Sequence, residues 1–534
     1  MLTEQQLEDI LKIFLKRAQS VNEEYLIAMG DHIREIRELI PSDINRLVQL
    51  KRMNANLDAA KKEIARIAEI SADDLAKAFA AAAELDVRFV ADTFDNVFRI
   101  SISENVALQQ ILKAQFEETY GAMKNLSQTT IESEGYRKAV DKGIQAVQSG
   151  MEDYSKAIRR ALSEAASDGL RVTYPSGRTM RLDSAVRQNV LDGIRALNNN
   201  VLEQAGREFG ADGIEISAHA LCAEDHLPYQ GRQYSNAEFA KLQDKLPRPF
   251  GMWNCKHSMH PILLGISEPA YTDEELADYR SNSSEKITIE GKTLTRYQWT
   301  QQQRKIETAV RYEKDKAVAA KAAGDNVLRR ECQRNINALQ EQYEKISNAA
   351  GIKTEFGRMR VEGFKFVSAK ELKKQDGIEK AGRVEANGLF VNKSEILFKN
   401  AKQVKPVDGY EDFTCHADAY NFFIDMKGNG RDEDNFKLTP AEYAEAIRNS
   451  PKYKGGNVRI LSCQAGAKKD GAAQKLADAL GVNVLAPTEV VNIADNGEVF
   501  LSDNDILADL WYNASDREKI KETGKWVVFK PGKE

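Results

Sequence analysis

Apolar residues recur at helical spacing through the first third of the chain, as in Ile64, Ile67, Ala68 and Ile70, then Leu75, Ala78, Phe79 and Ala82. No proline interrupts the interval between Pro41 and Pro175, and glycine is sparse there. Residues 1 to about 170 therefore read as a set of amphipathic helices. Ser71-Ala-Asp-Asp and Ser101-Ile-Ser-Glu have capping-box spacing, with a hydroxyl at the cap and an acid three residues on, and predict two helix starts.

The pattern changes near residue 170. Val172 to Leu182 reads as a short hairpin turning at Pro175-Ser-Gly, and Arg187 to Phe209 returns to helix. Residues 299 to 350 form charged helices, Ala-rich from Lys316 to Ala323 and continuing from Asn326 to Ile346. Such charge most often marks a solvated face. Cys332, within this stretch, reads as inert. Residues 351 to 404 are polar, hold short strand-like pieces such as Phe364-Lys-Phe-Val367, and read as a connector.

From about residue 405 short apolar runs alternate with helical segments. Phe413-Thr-Cys-His416 reads as a strand end, and Thr439-Pro-Ala-Glu opens a helix with a threonine cap and proline at its first position. Val458 to Ser462 is a strand, Ala472 to Leu480 a helix closed by Gly481, and Val482 to Pro487 a further strand. The alternation predicts a mostly parallel sheet flanked by helices. The fold class is multidomain: a mainly α body over 1–170, a small α+β domain over 171–290, charged helices over 291–350, the connector, and a C-terminal α/β domain over 405–534.

Composition narrows the function. A chain of 534 residues exceeds one core. A net charge of -5 gives no general basic face for gripping nucleic acid, so any role near DNA is indirect. Five scattered cysteines favour a reduced cytoplasmic site of synthesis over a disulfide framework. The acidic N-terminus lacks the basic and apolar regions of a secretory signal, and no window is apolar enough to predict a membrane span.

Residues 214 to 265 hold four of the six histidines and two of the five cysteines. His219, Cys222, His226, Cys255, His257 and His260 offer nitrogen and sulfur of the kind that bind zinc tetrahedrally, although their spacing matches no standard zinc finger. Two readings stand: a zinc site, for which Cys222-x3-His226 followed by Cys255-x-His257 could supply four ligands, or hydrogen-bonded histidines packing a domain with little core. A zinc-dependent grip on nucleic acid would require the first.

The order Ser217-x-His219, Asp225-His226, Gln230-Gly-x-x-Tyr-Ser235, Trp253-Asn-Cys-x-His257 and Tyr297-Gln-Trp-Thr-Gln-Gln-Gln-Arg-Lys-Ile-Glu-Thr308 resembles the phage minor capsid protein family related to the phage Mu head protein F. The resemblance covers roughly residues 1 to 355. It implies a few-copy protein made in the bacterial host cytoplasm, attached to the portal and capsid interior of the virion head, and in some members ejected with the DNA. It carries His219, Asp225, His226, Asn254, Cys255 and His257 over as motif positions, with Cys222 and His260 less tied to the pattern, so that a zinc ion would be held by His219, His226, Cys255 and His257.

In the tail, His416 and Cys463 would both lie at C-terminal ends of strands, where open α/β sheets gather ligands. A thiolate is the nucleophile of cysteine catalysis, and an imidazole can generate it and protonate the leaving group. Gln464-Ala-Gly466 would expose N–H donors to an oxyanion, and Asp418 is a candidate orienting group. The plain alternative is a buried cysteine after a strand and an exposed lone histidine, with Cys415 a core residue. A histidine followed 47 residues later by an apolar strand ending in cysteine resembles caspase-like cysteine peptidases. Where that family has glycine directly after the histidine, this chain has Ala417. Thr439-Pro-x-Glu442, Lys454-Gly-Gly456, Leu461-Ser-Cys-x-x-Gly466 and Ala486-Pro-Thr488 are similar to tail domains of bacterial polymorphic toxins. That likeness implies a bacterial target protein and an immunity protein as partners. Otherwise the tail is a non-catalytic binding domain on a structural head or ejection protein.

Overall fold

The proline-free interval is mainly helical, with short strands at Thr130–Ile131 and Arg171–Thr173, in the computed structural model, which describes residues 4–38, 45–93, 101–126, 130–131, 134–149, 154–174, 176–252, 255–368, 372, 388–391, 396–425, 435–502 and 522–532. Pro41, Pro175, Trp253 and Asn254 lie outside the described residues. The chain divides into two units, Met1–Phe366 and Val367–Glu534.

The first unit opens with helices α1 (Glu4–Glu38), α2 (Arg46–Thr93), α3 (Val106–Asn125), α4 (Glu134–Ser149) and α5 (Tyr154–Asp168). Helix α1 buries Leu11, Phe14, Ala18, Val21, Tyr25, Met29, Ile33 and Ile36, a spacing of three and four that keeps one face in the core. Each large apolar side chain so buried contributes roughly 1.5–3 kcal/mol. Gly30 lets α1 approach α9 (Arg296–Ala322) closely, because a Cβ there would stand 2.4 Å from the Ala319 carbonyl oxygen and 2.7 Å from the Ala322 Cβ.

The two predicted helix starts differ from what forms. Ser71 lies inside α2, buried, where its hydroxyl accepts from Arg17 Nη1 of α1 at 2.8 Å while Asp74 pairs with the same guanidinium at 2.8 Å. Apolar residues on both sides of Ser71 continue the buried face, so packing carries the helix through and the polar pair serves α1 instead. Ser101–Glu104 is a turn, and the cap of α3 is Asn105, whose side chain accepts from the Leu108 N–H at 3.1 Å.

The hairpin forms as strands β2 (Arg171–Thr173) and β3 (Thr179–Arg181), joined on its other edge by β1 (Thr130–Ile131). Helix α6 (Leu182–Glu208) follows. Strands β4 (Gly213–Ile216), β5 (Gln233–Ser235) and β6 (Met259–Ile262) make an antiparallel sheet in the order β5-β4-β6, with α7 (Asn236–Lys245) between β5 and β6. Helix α8 (Asp273–Ser284) and a hairpin of β7 (Lys286–Ile289) and β8 (Lys292–Thr295) lead to α9, which pairs with α10 (Asn326–Ala350). Cys332 is buried in the helical core. Residues 351–366 lie against these helices: Lys314 Nζ donates to the Met359 carbonyl at 2.8 Å and sits over the Phe364 ring. Phe364–Val367 is coil.

A buried charge cluster joins these segments. Arg181, at the end of β3, donates through Nε to Asp183 at 3.3 Å and through both Nη atoms to Asp315 of α9. Arg311 adds a second guanidinium on Asp183 at 3.2 Å. Asn22 of α1 donates to Asp315 at 3.1 Å and accepts from the Leu170 N–H at 2.7 Å.

The second unit holds helix α11 (Ile396–Ala401), strands β9 (Tyr410–Phe413), β10 (His416–Ala417), β11 (Phe422–Asp425) and β12 (Asn435–Leu438), then helix α12 (Pro440–Asn449). Strand β13 (Asn457–Ile460), helix α13 (Ala472–Leu480), and strands β14 (Val484–Pro487), β15 (Val490–Ile493), β16 (Val499–Ser502) and β17 (Trp526–Phe529) complete it. The main sheet runs β17-β14-β13-β9, parallel across β9, β13 and β14 and antiparallel only at β17. Thr439 caps α12 in a reciprocal box with Glu442, and Gly481 closes α13 at φ 73. Along β13, Val458 and Ile460 enter one apolar cluster with α12 and α13, while Leu461 enters a second with α11, β15 and β16.

Replacing Arg181 by alanine would leave Asp183 and Asp315 buried without their shared cation. Urea unfolding of the variant should show a loss of about 3–5 kcal/mol, with Arg46→Ala, which breaks the exposed pair to Asp141, unfolding close to the parent.

Candidate functional sites

In the first unit, pairing of β4 with β6 brings the loop after one strand beside the segment before the other. Ile216 stands opposite Met259, and Ser217 and Ser258 exchange two hydrogen bonds of 2.9 Å. His219 and His257 are thereby neighbours, with ring centroids 4.5 Å apart. The turn carrying Cys222 and His226 folds over them.

His257 has a different neighbour set at each nitrogen. Its Nδ1 lies 3.2 Å from Cys255 Sγ, which is also 3.4 Å from His226 Nδ1. Its Nε2 lies 3.0 Å from Gln230 Oε1 and 3.6 Å from Cys222 Sγ. The ligand atoms accordingly gather in two groups that share His257, one with His226 and Cys255, the other with His219 and Cys222. His226 Nε2 faces the Arg248 carbonyl at 2.7 Å, and Asp225 holds the Arg248 guanidinium with bonds of 3.1 and 2.7 Å. Asp225 thus steadies the loop that orients His226. His260 points elsewhere, against the Phe89 ring of α2 and Ser258 Oγ.

Burial disfavours charge on His226, His257, Cys222 and Cys255. It pushes His257 down to about 2, helped by His219 and His226, and lowers His226. It raises Cys222 to about 12 and raises Cys255, against backbone N–H groups of Gly251 and His257 that favour the thiolate.

In the second unit, β9 and β13 pair in parallel with Phe413 opposite Ile460. His416 and Cys463 each stand three residues past that pair, at the C-terminal rim of adjacent strands. Between them Leu461 N–H donates to the Phe413 carbonyl at 2.8 Å and Cys415 N–H to Ser462 Oγ at 3.1 Å. The register is locked by a buried ion pair: Asp412, directly opposite Arg459, accepts from its Nε at 2.5 Å and its Nη2 at 2.6 Å. Arg459 also donates to the Lys405 carbonyl at 2.9 Å.

Cys463 is half-buried at the edge of the second apolar cluster, and Gln464 after it takes a left-handed φ of 54. The other four thiols are buried. Cys415 packs in the core beside Ser462, and burial raises it to about 12. Two details differ from the sequence expectation. The Gln464 N–H donates to the Glu489 carbonyl at 3.0 Å and the Gly466 N–H to the Pro487 carbonyl at 2.8 Å, so the end of β14 and the link to β15 already take both donors. Asp418 accepts from the N–H groups of Tyr420 and Asn421 at 2.7 Å each, closing its own turn into β11.

Sequence reading missed Gln230 and the Asp412–Arg459 pair. Gln230 stood in the motif Gln-Gly-x-x-Tyr-Ser, but its contact with His257 spans 27 residues.

The family described as phage minor capsid protein 2 matches residues 2–346. A domain of unknown function (DUF8616) matches residues 386–501, the stretch that includes His416 and Cys463. No curated protein and no solved structure matches the chain. Among the described residues no helix is long and apolar enough to cross a membrane.

Because the other thiols are buried, brief alkylation of the native chain with iodoacetamide should modify Cys463 first. Peptide mass spectrometry should find Cys222, Cys255, Cys332 and Cys415 unlabelled until the protein is unfolded.

Proposed function

The chain belongs to the phage minor capsid protein 2 family, and on that premise we propose that it sits in the virion head beside the portal and carries a cysteine-dependent effector as its second unit. The body, over the family-matched residues, binds the portal and capsid interior. The tail travels with it and acts on a bacterial target protein in the cell that receives the genome, with an immunity protein guarding the producing cell.

The observation that supports the effector is the shared offset of His416 and Cys463 from one register pair, Phe413 and Ile460. In this reading His416 takes the proton from the Cys463 thiol as sulfur attacks a carbonyl carbon of the target. The same imidazole returns that proton to the leaving group, and water then releases the acyl group from sulfur. The partial exposure of Cys463, against four buried thiols, fits a sulfur that meets a partner.

A second reading is favoured by the occupied N–H groups of Gln464 and Gly466, which deprive an oxyanion of two nearby donors. There the tail is a non-catalytic binding domain within the head.

Expression of the full chain in a susceptible bacterium separates the two. On the first reading the parent arrests growth and Cys463→Ala restores it. His416→Ala restores it as well, since general acid–base assistance contributes about 10²- to 10⁴-fold. Soluble parent protein with normal growth, or arrest that persists in both variants, would favour the binding domain.

A further inference from the structure

Among the polar groups buried in the small β4–β6 domain, those around Cys255 have a donor count that does not close. His226 Nε2 faces the Arg248 carbonyl, a pure acceptor, so that nitrogen carries the proton and Nδ1 a lone pair. His257 Nε2 faces Gln230 Oε1. That atom is identified as oxygen because it also accepts the His219 backbone N–H at 3.2 Å, so His257 Nε2 is likewise the donor. Both Nδ1 lone pairs are then turned on one sulfur, at 3.4 and 3.2 Å. A thiol has one proton for the two of them.

The second group has no such shortfall. Cys222 Sγ donates to the Ala223 carbonyl at 3.3 Å, His257 Nε2–H is taken by Gln230, and His219 Nδ1 faces the Ala220 carbonyl at 2.9 Å. Each of these three atoms has a partner within the protein.

We propose that His226 Nδ1, Cys255 Sγ and His257 Nδ1 bind a zinc ion, with Gln230 and the Arg248 carbonyl fixing the two imidazoles from outside the coordination sphere. A tetrahedral zinc with ordinary Zn–S and Zn–N bonds places sulfur and nitrogen about 3.5 Å apart, against the observed 3.4 and 3.2 Å. An outer hydrogen bond from the second ring nitrogen to an oxygen acceptor is the usual support of a histidine ligand. Burial raises the Cys255 thiol, and backbone N–H groups of Gly251 and His257 directed at the sulfur oppose that rise. On binding, the Cys255 S–H bond breaks, a sulfur–metal bond forms and the proton leaves to solvent, so affinity falls as pH is lowered. The fourth position goes to water or another donor. His219 takes no part in this set, and Cys222 stays a thiol.

The ion would have a structural role. Among the described residues the buried apolar cluster here is Ile216, Phe239, Leu242, Phe250, Cys255 and Met259, with Ile214, Tyr229, Tyr234 and Leu246 partly buried against it, a small core for a sheet and a helix. A metal joining the turn at His226 to the segment before β6 would tie together parts of the domain that this core holds weakly.

The test is cobalt substitution of the purified full chain, followed by zinc displacement. Metal-free protein given cobalt(II) should develop a thiolate-to-cobalt charge-transfer band at about one ion per chain, and zinc should abolish it. The band should vanish in Cys255→Ser and persist in Cys222→Ser. Gln230→Leu should retain its circular dichroism and bind about 10- to 100-fold more weakly. Absence of the band in folded parent protein would overturn the proposal, as would its loss in Cys222→Ser. Should Cys255→Ser fail to fold, unchanged affinity in Gln230→Leu would overturn it instead.

Discussion

Taking a guanidinium out of water is expensive unless its charge and its hydrogen bonds are both answered, and the first unit answers Arg181 with Asp183, its near neighbour in sequence, and with Asp315 from a distant helix. Asp183 opens α6, Asp315 lies in α9, and Asn22 ties α1 to the same carboxylate. No pair of these elements can drift without exposing or orphaning a charge. Because α6 and α9 are both anchored there, the stretch between them is an excursion whose two ends are held by the body. The β4–β6 domain is therefore held at both ends, and β6 packs on α6 where a Cβ at Gly206 would stand 2.3 Å from the Pro261 Cβ.

The second unit uses the same device at smaller scale. Asp412 and Arg459 face each other across β9 and β13, and slipping one strand by a residue would carry the buried arginine away from the carboxylate directly opposite it. The segments that leave the two strands inherit that alignment. His416 and Cys463 share a rim because a charge pair four residues upstream sets where both strands end.

Elements governed by neighbours in sequence were legible in the chain itself: the Thr439 cap with Pro440, the Gly481 stop, the strand at Val458 and the turn between β2 and β3. Those decided at a distance were not. Ser71 carries a capping signature yet serves Arg17 of another helix, and Asp418 reads as an orienting acid yet closes its own turn. At the histidine and cysteine cluster, sequence supplied the participants but not the grouping. Which nitrogen of His257 faces Cys255 depends on Gln230, and Gln230 is placed by the β4–β5 crossing and not by its spacing.

The crossing at Gly30 has a consequence in evolutionary terms. With no room for one carbon between α1 and the Ala319–Ala323 stretch of α9, these positions are not separate sites for selection. A larger residue on either helix is admissible only if the other backbone retreats, and that retreat would pull Asn22 and Asp315 apart. Sequence drift at Gly30 and Ala322 is thus confined to joint changes, and the crossing should stay small-residued in lineages whose surfaces have otherwise diverged.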